Sequence, residues 1–151
     1  MQEKLDNFCS KAIREGMFFE SKYTIAVYDI APVVPGHSLL IPKRHVANFI
    51  DLKKVEFEDI FKTLNKVLPT LISLYGDKSF SYNLISQVGQ FSGMSIKHLH
   101  MHIIPRKSND KFNVNKENIY QNVDNKTKKL NKQQYLEQVN LIKNAMKISK
   151  N

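Results

Sequence analysis

In the stretch His98-Leu99-His100-Met101-His102-Ile103-Ile104-Pro105-Arg106, three histidines alternate with apolar residues. A period of two belongs to a β-strand, whose successive side chains point to opposite faces. His98, His100 and His102 are therefore expected on one face, with Leu99, Met101 and Ile103 turned to a core on the other. At about 3.3 Å rise per residue, neighbouring imidazoles recur roughly every 6.6 Å. Two protonated rings at roughly that spacing repel by about 2.5 kcal/mol at an effective dielectric of about 20. At least one ring should then stay neutral and nucleophilic at pH 7. Such a row can attack an electrophile, stabilise a phosphate or chelate zinc. A core strand has no structural need for it.

The flanking pattern predicts the elements that hold this row. Leu5, Phe8, Cys9, Ala12 and Ile13 recur at helical spacing up to Gly16, which predicts a helix over residues 3–15. Residues 17–20 and 23–28 read as extended, and Asp29 to Gly36 as a turn broken by prolines and glycine. A short apolar strand follows over 37–42. Phe57, Ile60, Phe61, Leu64, Leu68, Leu71 and Tyr75 form one stripe of a helix over about 54–75, capped near Asp51 and stopped by Gly76. Pro69 interrupts that stripe and predicts a kink or break. Strand 80–88, a Gly/Ser-rich loop at 89–95 and the histidine strand 96–105 come next. A polar loop, 107–131, leads to a last helix over 132–147 with Tyr135, Val139, Ile142 and Met146 on one face.

At 151 residues the chain is read as a single domain, 1–151, able to bury a core without staples. Its one cysteine, Cys9, excludes an internal disulfide framework and is read as a core residue. No apolar run has the length of a membrane span or the form of a secretory signal, so a cytoplasmic location without membrane attachment is expected. The net charge of +9 is concentrated late in the chain: residues 107–151 hold ten lysines against Asp110, Glu117, Asp124 and Glu137. No aromatic residues interleave in the manner of a nucleic-acid reader, so a solvated tail, or a field that attracts an anionic substrate, is expected rather than a specific nucleic-acid partner.

With the segment Asp29-Ile30-Ala31-Pro32-Val33-Val34-Pro35-Gly36-His37-Ser38-Leu39-Leu40-Ile41-Pro42-Lys43-Arg44-His45, the loop Gly89-Gln90-Phe91-Ser92-Gly93-Met94-Ser95-Ile96 and the triad itself, the chain resembles the histidine-triad superfamily of nucleotide hydrolases and transferases. The trailing Ile104-Pro105-Arg106 is similar to the fragile-histidine-triad branch and its bacterial relatives. The resemblance runs from about Tyr23 to Asn109, with the motifs in the family's order. It implies an α+β fold, an antiparallel sheet of about five strands with packed helices, paired into a homodimer through a continuous sheet. The independent reading of helices and strands gives the same α+β class.

The resemblance also implies a reaction at the α-phosphate of a purine nucleotide conjugate. His100 would be the nucleophile, His102 the assistant of the leaving group, His98 an orienting member, and His37 a fourth histidine from the neighbouring strand. Asp29 would meet the ribose. Gln87, Gly93 and Ser95 would form the phosphate side, and Ile25, Val27 and Leu40 the purine slot. Neither cofactor nor metal is implied; Cys9 matches half of a zinc pair seen in some relatives, whose second cysteine is Ala12 here. The chain departs from the family where Met94 stands in place of a glutamine. A missing amide donor implies slower turnover, or a nucleotide-binding regulator with weak or lost catalysis.

Overall fold

The computed structural model describes residues 8–110 and 128–148. Five antiparallel strands form one sheet: β1 (Met17–Glu20), β2 (Thr24–Tyr28), β3 (Ser38–Pro42), β4 (Tyr82–Ile85) and β5 (Met101–Pro105), in the order β1-β2-β3-β5-β4. Two helices, α1 (Lys54–Tyr75) and α2 (Lys132–Ile148), pack on one side. The α+β fold predicted from the sequence is present.

Alternation sorts every strand between the two faces. Ala26 and Tyr28 of β2, Leu40 of β3 and Ile103 of β5 join the core under the helices. That core also takes Ile60, Val67 and Leu71 from α1 and Tyr135, Val139, Ile142 and Met146 from α2. Ile25, Val27, Leu39 and Ile41 face the other way, where Phe8, Ile13 and Met17 pack on them. The register pairs Val27 with Leu39 and Leu39 with His102, so those three share the face without the helices.

Of the extended regions read from the sequence, 17–20 is present in full as β1 and the other four in shortened form. The differences elsewhere have physical causes. In place of a helix over residues 3–15 there is a 3-10 turn at Lys11–Gly16, with residues 3–7 outside the described part. Gly16 meets α2 so closely that an added Cβ would lie 1.7 Å from the Tyr135 hydroxyl oxygen. α1 runs without interruption through Pro69, because buried Val67, Leu68, Leu71 and Ile72 anchor the turns on both sides of it. Its N-cap is Lys53, not Asp51, which belongs to a separate 3-10 turn at Phe49–Asp51. Regular pairing of the histidine strand begins only at Met101, so His98 and His100 lie just ahead of it. The final helix follows the predicted stripe. Of loop 107–131, residues 111–127 lie outside the described part.

The strand-to-helix connection is tied by Arg44, which donates from Nε and Nη2 to the two carboxylate oxygens of Glu56 at 2.8 and 2.6 Å. Glu56 also accepts from the Lys53 backbone N–H at 2.8 Å. The Arg44 bonds come first in lowering the Glu56 carboxyl to about 2, opposed by its desolvation. A carboxyl held below its unfolded value stabilises the fold above that unfolded value and stops doing so as pH falls through the folded one. With Arg44 half-exposed, screening leaves a contribution of about 1 kcal/mol. Glu56→Gln is therefore expected to lower stability by about 1 kcal/mol at pH 7. In urea unfolding as a function of pH, the gap from wild type should close between about 4.5 and 2.

Candidate active site

The histidines lie on the helix-free face, and all are buried: His37, His98, His100 and His102 are each 2 % exposed or less. β5 places His102, and the backbone just before it places His98 and His100. Leu99 N–H donates to the Val46 carbonyl at 2.6 Å, which holds that stretch against the end of β3. Leu99 and Ile103 are buried on the opposite side, as the alternation requires, and Met101 packs partly buried there. The His100 and His102 ring centroids are 5.0 Å apart, so the rings lean together from their backbone spacing.

Hydrogen bonds assign the protonation of each ring. The Nδ1 of His100 is 2.8 Å from the His98 carbonyl oxygen. A carbonyl only accepts, so Nδ1 carries the proton and Nε2 keeps its lone pair. The Nε2 of His98 donates likewise to the Pro42 carbonyl at 2.8 Å. His37 is fixed from the other direction: Val33 N–H donates to its Nδ1 at 3.2 Å, so its proton is on Nε2. That proton points to His102 Nδ1 at 2.8 Å, which leaves the His102 proton on Nε2. These assignments put lone pairs on His100 Nε2 and on His98 Nδ1, the latter 3.5 Å from Cys9 Sγ, and an imidazole N–H on His102 Nε2.

The turn from Asp29 to His37 carries the next residues. Asp29 accepts from Ala31 N–H at 2.8 Å through Oδ1, and its Oδ2 is 3.5 Å from His37 Nε2. Asp29 N–H donates to the His37 carbonyl, closing the turn at 2.9 Å. Gly36 sits at φ +89, and an added Cβ would lie 2.6 Å from the Tyr75 ring. Its N–H donates to the Tyr28 hydroxyl at 3.1 Å, and the Tyr28 carbonyl accepts from the Tyr135 hydroxyl at 3.0 Å. Burial, then the charges of Asp29 and Glu15, push the Tyr135 phenol up to about 12, so it remains a donor.

A cavity of about 720 Å³ opens beside the cluster, lined by His100, His102, Ser95 and Asp29. Its apolar wall is Val27, Leu39, Ile13 and Phe8, and the Phe8 ring stands edge-on to His100 at 5.1 Å. A volume of this order suits a small organic ligand. A second cavity of about 520 Å³ lies behind the turn, between Pro32–Pro35 and Gln134–Gln138, and has no histidine in its lining.

The sequence-predicted residues divide accordingly. His37, His98, His100, His102 and Asp29 come together, and Ser95 and Val27 line the cavity. Leu40 does not: it is in the core under the helices, and Leu39 takes its place on the cavity wall. A one-residue step along a strand reverses the face, and the motif alone did not set that register. Ile25 is on the cavity's side of the sheet but below its wall. Gln87 braces the loop instead of lining the cavity, donating from Nε2 to the Ser92 carbonyl at 2.7 Å. Gly93, at φ +89, lies so close to that amide that an added Cβ would be 2.8 Å from it. The Met94 sulfur accepts from Gly89 N–H at 3.4 Å, within the loop. Phe8, Ile13, Glu15 and Lys132, which sequence reasoning did not assign to the site, reach it from far along the chain.

Two groups have metal-ligating atoms within 4.8 Å of one another. In Asp29, His37 and His102 the His37–His102 nitrogens stand at 2.8 Å, a hydrogen-bond length; two imidazoles on one zinc would be about 3.3 Å apart. In the other group, Cys9 Sγ is 3.5 Å from His98 Nδ1 and 3.6 Å from His45 Nδ1. Those separations match a tetrahedral S, N pair at about 3.5 Å, so Cys9, His45 and His98 fit three corners of a structural zinc. Cys9 is half-buried beside these two histidines and not in the core. An ion there would fasten the N-terminal segment to the triad and leave His100 Nε2 untouched.

The described residues thus form a five-stranded α+β protein with four buried histidines of assigned tautomer beside a cavity of about 720 Å³. The family model for the HIT domain matches residues 10–109, and the chain belongs to that family. It is similar to a bis(5'-adenosyl)-triphosphatase of Saccharomyces cerevisiae, 42% identical over 100 residues, which cover 66% of this chain and 48% of that protein. The chain thus spans about half the length of the yeast relatives it matches. A bifunctional bis(5'-adenosyl)-triphosphatase/adenylylsulfatase of Arabidopsis thaliana is 33% identical over 136 residues, 85% of this chain and 73% of that one. Among solved structures, a hypothetical histidine triad nucleotide-binding protein of Sulfolobus tokodaii superposes with a TM-score of 0.77 at 26% identity, covering 96% of this chain and 94% of its own. No helix among the described residues is long and apolar enough to cross a membrane.

The turn that carries Asp29 and His37 depends on Gly36. Gly36→Ala must adopt a left-handed backbone and displace the Tyr75 ring, at a cost of about 2–4 kcal/mol. Thermal unfolding of that variant should show a clear loss of stability; an unchanged midpoint would contradict the packing described.

Proposed function

We propose that this chain is a nucleotide-phosphate hydrolase or nucleotidyl transferase that attacks the α-phosphate of a purine nucleotide conjugate, such as a dinucleoside polyphosphate or a nucleoside phosphoramidate, without a metal. The observation that carries this reading is the bond from His100 Nδ1–H to the His98 carbonyl, which puts the ring's proton on Nδ1 and its lone pair on Nε2. Nε2 bonds to phosphorus as the bond to the leaving group breaks, and the neutral His102 ring donates a hydrogen bond from Nε2 to the departing atom, which leaves as an anionic oxygen or, protonated by solvent, as an amine. The ring of His100 becomes cationic in the adduct, and its Nδ1–H bond to a carbonyl strengthens with that charge. Water then attacks phosphorus as the phosphorus–nitrogen bond breaks, loses one proton to solvent, and releases the nucleoside monophosphate with His100 restored.

Asp29, mostly buried and just after the end of β2, would accept from ribose hydroxyls. Ser95 lines the cavity on the phosphate side. The names of the yeast and Arabidopsis relatives agree with a dinucleoside polyphosphate as one substrate. A nucleotide-binding regulator is the second reading, favoured by Met94, whose side chain brings no donor to the cavity. The two are separated by AMP release from diadenosine triphosphate and adenosine phosphoramidate in excess chelator. Wild type should turn over, and His100→Asn should lose at least about a thousandfold in kcat. Turnover indifferent to His100, or present without chelator and lost with it while nucleotide binding persists, would overturn the metal-free mechanism; binding without turnover in either condition would establish the regulator.

We further propose a homodimer. β4 is the terminal strand of the sheet, and its Tyr82 and Leu84 remain 40 % exposed on the helix-bearing face. Phe57 and Phe61 of α1 are about 60 % exposed. A second copy pairing along β4 would bury these side chains and close an open edge. Sedimentation should give twice the chain mass for wild type and the single mass for Leu84→Glu combined with Phe61→Glu.

A further inference from the structure

We propose that Glu15 and Lys132 read the hydrogen-bonding edge of the base and select purines over pyrimidines; this rests on the nucleotide-binding reading above. The sheet's register supplies the argument. His102 of β5 is opposite Leu39 of β3, Leu39 is opposite Val27 of β2, and Val27 is opposite Met17 of β1. That line crosses three interstrand steps, about 14 Å, on the face where the cavity lies. The histidines hold its β5 end. Asp29, the residue after β2, sits between. Glu15 stands two residues before Met17, at the far end.

Lys132, the first residue of α2, meets Glu15 there, with Nζ 3.5 Å from Oε1. Both side chains line the same cavity as His100 and His102. A nucleotide whose phosphate is at His100 and whose ribose is at Asp29 has one direction left for its base: across Val27 and Ile13 toward this pair. An adenine edge presents an amino donor beside a ring-nitrogen acceptor, and the carboxylate and ammonium match them in that order. A guanine edge presents two N–H donors to the carboxylate and a carbonyl to the ammonium. A pyrimidine is one ring shorter and leaves the pair to water.

The pair has little part in folding. Its side chains are 73 % and 56 % exposed, the condition in which an ion pair contributes almost nothing to stability. A base laid over it would exclude water from one side, where a polar group that lacks its partner is discriminated against.

The test is equilibrium binding of AMP, GMP and CMP by calorimetry to wild type, Glu15→Ala and Lys132→Met, with purine riboside 5'-monophosphate, which lacks the 6-amino group, as a fourth ligand. Wild type should bind AMP about tenfold more tightly than CMP, and both variants should lose that ratio with CMP binding little changed. Removal of the 6-amino group should weaken binding to wild type but not to Glu15→Ala. If Lys132→Met weakens AMP and CMP equally, the lysine acts only on the phosphate charge and the proposal fails. An AMP to CMP ratio that survives both variants also overturns it, with the nucleotide site intact. No binding of any nucleotide would overturn the nucleotide reading and this inference together.

Discussion

The backbone N–H of Val33 sets the protonation of two buried histidines. Because it donates to His37 Nδ1, the His37 proton must be on Nε2, and His102 must accept it and turn its own proton outward. The donor lies within the turn that the chain uses to pass from β2 to β3, so the electrostatics of the site is a consequence of backbone geometry. That turn is closed by Asp29 N–H on the His37 carbonyl and packed from behind by Tyr75 and Tyr28. A shift of the turn would alter which imidazole nitrogen holds a proton some two residues' width away. Asp29 rides on the same turn, so the carboxylate proposed for ribose and the tautomer of the leaving-group histidine are positioned by one element.

The division of the sheet into two unlike faces makes this arrangement affordable in structural terms. One face is sealed by α1 and α2 with an apolar core, and that core supplies the burial that folds the chain. The other carries four buried imidazoles, each with assigned hydrogen-bond partners from backbone carbonyls, a backbone N–H or another ring. Buried polar groups of this kind are tolerated when they are satisfied, and their geometry is then rigid. Rigidity is what a nucleophile needs, because its lone pair must be aimed before the substrate arrives.

Much of this was legible in the sequence because it is periodic. The alternation from His98 to Ile103 and the stripes of α1 and α2 report which side of an element is buried, whatever it packs against. The reading failed where non-local packing decides. Leu40 and Leu39 are both apolar, and only the pairing with β5 shows that Leu39 faces the cavity. Pro69 carries a local penalty that the buried residues around it override. Phe8 and Cys9 fit a helical spacing, yet they are drawn to the histidines 90 residues later in the chain, a contact with no local signal. Glu15 and Lys132 are ordinary surface charges in sequence, and only the fold brings them to one end of one cavity.

Met94 bears on the chemistry through what it leaves in place. Its sulfur accepts from Gly89 N–H, and Gln87 holds the Ser92 carbonyl, so the loop keeps its form without an amide side chain at position 94. Under the proposed mechanism the help given to the leaving group then falls chiefly to His102. A polyphosphate departs as an anionic oxygen and depends on donors that stabilise charge, so losing one donor would slow it by about one to two orders of magnitude. A phosphoramidate departs as an amine that takes its proton from solvent, so it brings little negative charge to those donors. Methionine at position 94 would therefore favour leaving groups that depart neutral over those that require a charged cradle. The constraint on such drift is again the turn at Val33, since His102 presents an N–H to the leaving group only while His37 directs its proton to Nε2.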